Sequence, residues 1–432
     1  MVRGIRPRRL RRLVHPARAV ALGGTTRYEP SGTLIIDRRE AEALVQHEAL
    51  ASVRVSVVSP GERARIVKVL DAVEPRAAAA PGLFPGLLCP ATTTCPDEVH
   101  VLRGAAVVVA GRLPRAQEAI VEMSGPAAEL SPLGQTHNVV IEFDPPSRVP
   151  WEEVDGALRR GALRLALRLA EAALEAAPEA VEELVTPTSH GADGSLPRVG
   201  VITNVQTQGA FKDVLVYGRT MADALPTLID RNELERGAVV SAQYGHPALR
   251  NPTYLYQNHP VVEALRRRDG RELRFAGLVL SPEPVDQERK ALVSAHAAAV
   301  CLAAGFDGVI VTKEGGGNAD ADASLKMDRL EELGIASVGL FAEMSGSDGT
   351  GPPLVVPPTR AAGMVSTGNY DERVRLERVE RVLGGQRIDV ADADADAELE
   401  VPMAVMCGAL SSLGWGRLTC REVNVPCASS TT

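Results

Sequence analysis

In the second half of the chain, apolar runs are repeatedly followed by polar residues that could bind and activate a small molecule. These residues carry amide, hydroxyl, imidazole, ammonium and carboxylate groups: Asn204, Gln206, Gln208, Ser241, Tyr244, His246, Lys313, Glu314, Asn318, Asp320 and Asp322. In open α/β sheets, ligands bind beyond the carboxyl ends of the strands. Such sites need a few directional polar groups beside glycine-rich backbone. The sequence therefore predicts a small-molecule site at one edge of a sheet.

The acidic residues near position 318 have two interpretations. Glu314, Asn318, Asp320 and Asp322 could bind a hard cation through oxygen, although their spacing is not that of an EF-hand. Acidic residues ahead of a helix more often cap it and complement its dipole. We favour capping or hydrogen bonding over a metal site.

The basic and imidazole side chains also have a functional and a structural interpretation. Lys313 could contact an anion, or it could pair with Glu314 at the end of a strand. His246 and His259 could act as acids or bases near neutral pH. Since His259 precedes Pro260, it could equally form a hydrogen bond at the entry of a helix. The glycines at 315–317 match neither the Walker nor the dinucleotide-binding pattern.

Five apolar runs must position these residues, and helical stretches lie between several of them. The runs are Val199–Ile202, Ala238–Val240, Phe275–Leu280, Gly308–Val311 and Ala336–Leu340. Alternation of buried strands and helices predicts a mostly parallel sheet with helices on both faces. Because the polar residues follow these runs, we expect them to meet at the carboxyl edge of that sheet.

The remainder of the chain predicts a different architecture. Over residues 21–148, short apolar runs are bounded by proline and glycine, which is typical of strands and turns. Residues 149–190 are rich in strong helix formers and predict a helical bridge, in which Gly156 and Gly161 mark kinks. Residues 191–432 form the α/β domain. The expected fold class is thus α/β, with an N-terminal β-rich domain, a bridging helical segment and a C-terminal, mostly parallel α/β sheet domain.

Composition excludes several classes of function. The 47 basic and 55 acidic residues give a net charge of −8, which argues against a nucleic-acid partner. No apolar run reaches the length of about 18 residues that spans a bilayer, so we expect no membrane partner. Residues 1–20 are interpreted as a basic extension that is either disordered or the result of a start codon assigned too far upstream, because no apolar stretch typical of an export signal follows. The six cysteines form no CxxC pair, which predicts reduced thiols in a cytoplasmic protein.

Several long segments resemble one protein family. They include the segments 205–218 (VQTQGAFKDVLVYG), 237–260 (GAVVSAQYGHPALRNPTYLYQNHP), 311–322 (VTKEGGGNADAD), 59–76 (SPGERARIVKVLDAVEPR) and 407–419 (CGALSSLGWGRLT). Over roughly residues 20–423 the chain resembles the pyruvoyl-bearing proprotein subunit of component B of glycine/sarcosine/betaine reductase. The resemblance implies reductive cleavage of a C–N bond. In that scheme, a proprotein cleaves itself at a cysteine to form a pyruvoyl group, and a partner's cysteine or selenocysteine attacks the substrate.

The sequence departs from the family at the self-cleaving residue. Where the family pattern reads approximately Ser-Gly-Asn-Cys-Val-Ser-Ala-Cys, this chain has Tyr244 at the first cysteine and Ala248 at the second. Pyruvoyl formation needs a nucleophile on Cβ that can later leave by elimination, and a tyrosine ring can do neither. Ser241 has suitable chemistry but lies three residues upstream, where the family has a serine as well. We therefore predict an uncleaved chain that carries no cofactor of its own.

The resemblance and the missing cysteine together predict a reductase-complex subunit without a pyruvoyl group. It would cleave or exchange a C–N or C–S bond of a small amine or amino acid, in a reaction that could belong to secondary metabolism. Its partner would be a selenoprotein-B-like subunit that supplies Cys or Sec. Tyr244 or His246 would be the general acid. The residues expected to bind substrate are Gln206, Gln208, Ser241, Asn251, His259, Lys313, Glu314 and Asn318.

Two other functions stay open at this point. The chain could be a non-catalytic scaffold that positions or stabilises the selenoprotein-B-like partner. Less favoured is a metal-dependent lyase or hydrolase that uses Glu314, Asp320 and Asp322.

Overall fold

The computed structural model describes residues 8–79, 82–113, 118–186, 196–207, 214–241, 247–352, 354–361 and 363–415. Its helices are α1 (Arg38–Val45), α2 (Trp151–Glu171), α3 (Asn232–Glu235), α4 (Thr253–Gln257), α5 (Pro260–Arg268), α6 (Gln287–Ala303) and α7 (Asn318–Glu332). Short 3₁₀ helices span Pro126–Leu130, Pro132–Gln135, Pro247–Leu249, Asp389–Ala391 and Met403–Val405. The strands of the first half are β1 (Arg8–Pro16), β2 (Ala19–Gly23), β3 (Arg27–Tyr28), β4 (Thr33–Asp37), β5 (Ser52–Val58), β6 (Ala64–Val67), β7 (Val69–Val73), β8 (Arg76–Ala77), β9 (Glu98–Arg103), β10 (Ala105–Ala110), β11 (Ile120–Glu122), β12 (His137–Asp144) and β13 (Ala180–Thr186). Those of the second half are β14 (Arg198–Gln206), β15 (Leu215–Val216), β16 (Arg219–Thr220), β17 (Thr227–Ile229), β18 (Val239–Val240), β19 (Arg274–Glu283), β20 (Gly308–Thr312), β21 (Ala336–Glu343), β22 (Gly363–Asn369), β23 (Arg373–Leu376), β24 (Arg381–Leu383), β25 (Arg387–Ile388), β26 (Ala393–Asp394) and β27 (Leu399–Pro402).

Small mixed sheets form the first half of the chain. One has the strand order β13-β1-β9-β8 and another has the order β5-β12-β10-β7. Every residue of β10 is buried, as expected of an apolar strand that is covered on both faces. Helix α2 packs on these sheets, where Leu163 and Leu169 share one core with Val107 and Ile141.

The basic start of the chain contributes a strand to one of these sheets. β1 pairs antiparallel with β13 and parallel with β9, so the expectation of a disordered extension is wrong for residues 8–16. Leu10 is buried in the core, and the buried Arg12 forms an ion pair with Glu235. Composition alone is misleading here because the carboxylate that compensates Arg12 lies far away in the sequence.

The segment expected to be a helical bridge consists of one long helix followed by a strand. Helix α2 runs unbroken through Gly156 and Gly161. A side chain at Gly161 would lie 2.9 Å from Cγ1 of Val45, so this glycine allows α1 and α2 to pack closely. The chain then returns as β13. In the described ranges, no helix is both long enough and apolar enough to cross a membrane.

The second half contains the predicted mostly parallel sheet, and this confirms the α/β fold class. Its strand order is β17-β19-β14-β20-β21-β22. The five strands β19, β14, β20, β21 and β22 run parallel, whereas β17 is antiparallel to β19 at the edge. Apolar cores cover the sheet on both sides: Val201 and Leu278 belong to one, whereas Ile202 and Val279 belong to the other. The parallel register places the carboxyl ends of β14, β19 and β20 side by side.

One of the five predicted strands does not belong to this sheet. The run Ala238–Val240 forms β18, which pairs with β15 in a separate three-stranded sheet of order β16-β15-β18. Ser241 therefore does not follow a strand of the parallel sheet. A short apolar run carries no information about which sheet it will join.

Residues 381–407 pack against the first half of the chain. β24 pairs with β6, from Arg381 opposite Ala64 to Leu383 opposite Ile66. The backbone N–H of Cys407 donates to the carbonyl oxygen of Ile120 at 2.9 Å. The cores of the two halves of the chain therefore meet beside the segment 403–413.

Candidate functional site

The carboxyl ends of β14, β19 and β20 bring several of the predicted residues together. Asn204 lies opposite Ser281, and Gln206 lies opposite Glu283 in the register of β14 and β19. Thr203 lies opposite Thr312 of β20. Asn204 directly follows Thr203 and Lys313 directly follows Thr312, so the two residues leave neighbouring strands at the same level. All of these side chains are buried. The predicted strand-edge site is thus a buried polar cluster.

Asn204 has an unusual environment within this cluster. Its side chain is fully buried, yet neither the amide nitrogen nor the amide oxygen has a hydrogen-bond partner among the described residues. Burying an amide without hydrogen bonds is unfavourable. Asn204 therefore offers one donor and one acceptor to a ligand at the end of the central strand.

Lys313 is held by the loop that leads into α7. Its Nζ lies 2.7 Å from Oδ1 of Asp320 and donates to the carbonyl oxygen of Gly315 at 2.6 Å. Asp320 also accepts a hydrogen bond from the backbone N–H of Gly317, with a donor–acceptor distance of 2.6 Å, and so caps the helix. Of the two interpretations of Lys313, its contacts match the ion pair, but the partner is Asp320 and not Glu314.

Glu314 lies at the centre of a second set of contacts. Its carboxylate accepts from the Tyr256 hydroxyl at 2.8 Å and from the backbone N–H of Asn251 at 3.4 Å. Burial raises the pKa of Glu314 to about 7, and it raises the pKa of Tyr256 well above its usual value. Glu314 can therefore exchange a proton near neutral pH.

Glu283 provides a second carboxyl group of altered acidity. Its Oε1 accepts from the backbone N–H of Glu314 at 3.1 Å. Burial, together with the nearby charge of Asp322, raises the pKa of Glu283 to about 8. Two buried carboxyl groups at adjacent strand ends can thus hold protons at neutral pH.

Asn251 connects the strand ends to the final segment of the chain. Its amide nitrogen donates to the carbonyl oxygen of Lys313 at 3.1 Å, and its amide oxygen accepts from the Ser411 hydroxyl at 2.5 Å. Both side chains are buried. This places Asn251 in the cluster, and both of its amide groups are engaged within the protein.

Ser241 joins the cluster through Thr253. The backbone N–H of Ser241 donates to Oγ1 of Thr253 at 2.8 Å, and that hydroxyl donates to Oδ2 of Asp71 at 2.7 Å. Burial raises the pKa of Asp71 to about 6. The Ser241 hydroxyl is buried, and no described residue is its hydrogen-bond partner.

His259 occupies a structural position at the entry of α5. Its Nδ1 accepts from the backbone N–H of Val262 at 3.4 Å, and its Nε2 lies 3.0 Å from the Thr203 hydroxyl. Burial lowers the pKa of His259 to about 3, so the ring is neutral. The structure therefore matches the helix-entry interpretation, and both ring nitrogens are engaged within the protein.

Asn318 ties α7 to the end of β19. Its amide oxygen accepts from Nζ of the buried Lys290, and its amide nitrogen donates to the carbonyl oxygen of Pro284 at 3.4 Å. Gln206 is buried at the last position of β14. Both residues border the strand-end cluster.

The three carboxylates considered as metal ligands bind separate partners. Asp320 pairs with Lys313, Asp322 pairs with the buried Lys326, and Glu314 binds Tyr256. No group of three or more metal-ligating side chains occurs in the parts of the chain that the structure describes. Their local contacts are those of capping residues and ion pairs.

Gln208, Tyr244 and His246 lie outside the described residues. The residues that follow the segment 242–246 form backbone hydrogen bonds with a later segment: the carbonyl oxygen of Pro247 accepts from the N–H of Gly408 at 2.9 Å, and that of Ala248 accepts from the N–H of Leu410 at 2.7 Å.

Further residues of the cluster were missed in the sequence. They are Asp71, Arg250, Tyr256, Glu283 and Ser411. All except Glu283 fall inside segments that carry the family resemblance, and their place in those segments was the only sign in the sequence that they could belong to the site. Their types alone gave none, because each becomes part of the cluster through a contact with a distant segment.

Comparison with known proteins gives a consistent result. The family model described as glycine/sarcosine/betaine reductase component B subunits matches residues 10–421. The chain is 32% identical over 417 residues to the glycine reductase complex component B subunits alpha and beta of Acetoanaerobium sticklandii, covering 93% of this chain and 97% of the relative. It is 29% identical to the sarcosine reductase complex component B subunit alpha and 28% identical to the betaine reductase complex component B subunit alpha, both of Peptoclostridium acidaminophilum; these matches cover 93% and 84% of this chain and 97% and 85% of the relatives. No solved structure matches the chain. The chain belongs to the family of glycine/sarcosine/betaine reductase component B subunits, and it is a reductase-complex subunit.

Proposed function

We propose that the chain binds a small amine or amino acid at the strand-end cluster while a partner subunit carries out the covalent chemistry. The observation that carries this proposal is the buried amide of Asn204, which has no hydrogen-bond partner among the described residues and lies at the same strand ends as two carboxyl groups that exchange protons near neutral pH. A site that binds a polar molecule and adjusts its protonation needs both features. The relatives named above are described as subunits of glycine, sarcosine and betaine reductase complexes.

In the proposed reaction, a thiolate or selenolate of a selenoprotein-B-like partner attacks the carbon next to nitrogen. A new C–S or C–Se bond forms, the C–N bond breaks, and its electron pair leaves with the nitrogen. A neutral amine needs a proton in order to leave, whereas a quaternary amine leaves without one. Tyr244 or His246 would donate that proton. The same arrangement could act on a C–S bond.

The proposal includes no pyruvoyl group in this chain. Tyr244 stands where the self-cleaving cysteine is expected and cannot generate one. A quaternary amine cannot form a Schiff base, so such a substrate would not need the carbonyl group. The described cysteines, Cys89, Cys95, Cys301 and Cys407, are free thiols, which supports the proposed cytoplasmic location.

The mass of the purified protein under denaturing conditions tests the missing pyruvoyl group. We expect one species of 45.7 kDa that does not react with a carbonyl reagent. Two fragments that break near residue 241, one of them carbonyl-reactive, would show instead that Ser241 replaces the cysteine. Turnover of glycine, sarcosine and betaine by the chain, assayed with and without its partner subunit, then tests the reaction itself.

A further inference from the structure

Three arginine side chains are among the largest fully buried groups of the protein: Arg65, Arg76 and Arg250. A buried guanidinium loses its hydration, so it normally needs a carboxylate and a full set of acceptors. The three arginines provide an internal comparison, because they are buried to the same extent but have different surroundings.

Arg65 and Arg76 are fully compensated. Arg65 forms an ion pair with Glu122, and its remaining nitrogens donate to backbone carbonyl oxygens at 2.6 to 3.1 Å. Arg76 pairs with Glu74 and with Glu235, each at 2.7 Å, and it also donates to the carbonyl oxygen of Gln257. Both arginines therefore have the partners expected of structural residues.

Arg250 is not compensated in this way. Its Nη1 donates to the carbonyl oxygens of Val69 and Leu70, at 2.7 and 3.3 Å. Its Nε and Nη2 have no hydrogen-bond partner in the described part of the chain. The thiol of Cys407 lies beside the guanidinium, but sulfur is only a weak acceptor. The side chain thus keeps two adjacent donors, and no carboxylate of the described residues forms an ion pair with it.

Arg250 lies beside the strand-end cluster. Arg250 directly precedes Asn251, whose backbone N–H donates to Glu314. The positive charge of Arg250 partly opposes the effect of burial, which raises the pKa of Glu314 to about 7. Since Glu314 is partly protonated at neutral pH, it provides only part of a compensating charge. An anionic ligand would supply the rest.

We propose that Arg250 binds the carboxylate group of the substrate. This inference rests on the proposed function and adds the residue that recognises the carboxylate group of an amino-acid substrate. Nε and one Nη of an arginine lie side by side and match the two oxygens of a carboxylate. Lys313, another cation of the cluster, already binds Asp320 and the carbonyl oxygen of Gly315.

Calorimetric titration of the full chain tests this assignment with three matched pairs of probes. Each pair consists of a carboxylate and the amine without it: glycine and methylamine, sarcosine and dimethylamine, betaine and tetramethylammonium. We expect at least one carboxylate to bind on the order of 10- to 100-fold more tightly than its counterpart, as for a charge-assisted pair of hydrogen bonds. Equal affinity within every pair would overturn the role of Arg250 and leave the proposed function standing. If no probe binds, both fail.

Variants assign the preference to this residue. Arg250→Gln keeps one donor and removes the charge, and we expect it to abolish the preference for the carboxylate. Arg250→Lys keeps the charge without the planar pair of donors, so it should retain only part of the preference; it also serves if the glutamine variant does not fold. Arg219→Gln, which removes the same charge from an exposed strand, should bind as the native chain does. Native affinity in both Arg250 variants would overturn the assignment, and loss with Lys313→Met alone would transfer the role to Lys313.

Discussion

The hydroxyl of Tyr256 donates a hydrogen bond to the carboxylate of Glu314 at 2.8 Å, and both side chains are buried at the ends of the parallel strands. The two residues are 58 positions apart in the sequence. The hydrogen bond favours the charged form of Glu314, whereas burial favours the neutral form and has the larger effect, so the pKa of Glu314 is about 7. The contact therefore adjusts when this carboxyl group releases its proton.

Replacing Tyr256 by phenylalanine should shift the pH dependence of the complex. The hydrogen bond from Tyr256 lowers the pKa of Glu314, whereas burial raises it. Without this donor, the pKa of Glu314 therefore rises above about 7. We expect the pH–rate limb that belongs to this group to move to higher pH in Tyr256→Phe, with a stability loss of about 1–2 kcal/mol. Tyr254→Phe, at the neighbouring tyrosine, is the control and should leave that limb in place. An unchanged pH profile in Tyr256→Phe would separate Glu314 from the reaction.

Stability should decrease as the pH rises from about 6.5 to 8. The pKa values of Glu314 and Glu283 are raised to about 7 and about 8 in the folded protein, so their stabilising contribution is complete below the unfolded pKa and is lost as the pH rises through the folded values. Below pH 6.5, the lowered pKa values of His259 and His15, about 3 and about 4, act in the opposite direction. Chemical unfolding at several pH values should show a loss on the order of 1–2 kcal/mol across this window.

Glu283→Gln provides the matched variant for this pH dependence. Glutamine has the shape of the protonated carboxyl group but does not titrate, so the decline of stability between pH 6.5 and 8 should become shallower. The same substitution at the exposed Glu398, which pairs with Arg375 on the surface, should not change the slope. A native slope in Glu283→Gln would mean that this carboxyl group does not titrate in the window.

Tyr244→Phe tests the proposed general acid directly. If the phenol protonates the leaving group, its loss should lower turnover by the assembled complex by about 10²- to 10⁴-fold. The melting temperature of the variant establishes that the fold is intact. Native turnover would remove Tyr244 from the mechanism and leave His246 as the candidate, for which His246→Gln is the corresponding substitution.

Arg12 and Arg11 form a natural pair for measuring what the first strand contributes. Arg12 is buried and binds Glu235, Glu263 and Glu182. Although Glu235 also pairs with Arg76 and Glu263 also pairs with Arg266, Arg12→Met removes a buried cation from this network and should cost about 3–5 kcal/mol. The adjacent Arg11 pairs with Glu98 at the surface, and Arg11→Met should cost less than about 1 kcal/mol. Equal effects in urea unfolding would contradict the buried role of Arg12.

The sequence predicted the parallel sheet well because its strands have a strong local pattern. The runs that became β14, β19, β20 and β21 are continuous and apolar, and the polar residues after them, such as Asn204 and Glu314, do meet at one edge. The exception was β18, whose run of apolar residues looks the same in sequence. Its pairing with β15 depends on contacts that a local pattern does not contain.

The remainder of the cluster depends on long-range contacts and could not be read from residue types. Asp71 enters it through Thr253, which is 182 residues later in the chain, and Ser411 enters it through Asn251, which is 160 residues earlier. Similarly, nothing in the sequence separates Arg250 from Arg65. They differ only in whether a carboxylate from another segment reaches the guanidinium.

The pairing of β24 with β6 sets the order in which the molecule can fold during synthesis. Strand β6 can pair with β24 only after Arg381 has been synthesised, more than three hundred residues after Ala64. The ribosome has by then released most of the polypeptide, including the whole parallel sheet. Contacts this distant close slowly, so the nascent first half keeps an unpaired strand edge that can associate with other chains. Production of the protein will therefore depend on how well this edge is protected until the last segment emerges.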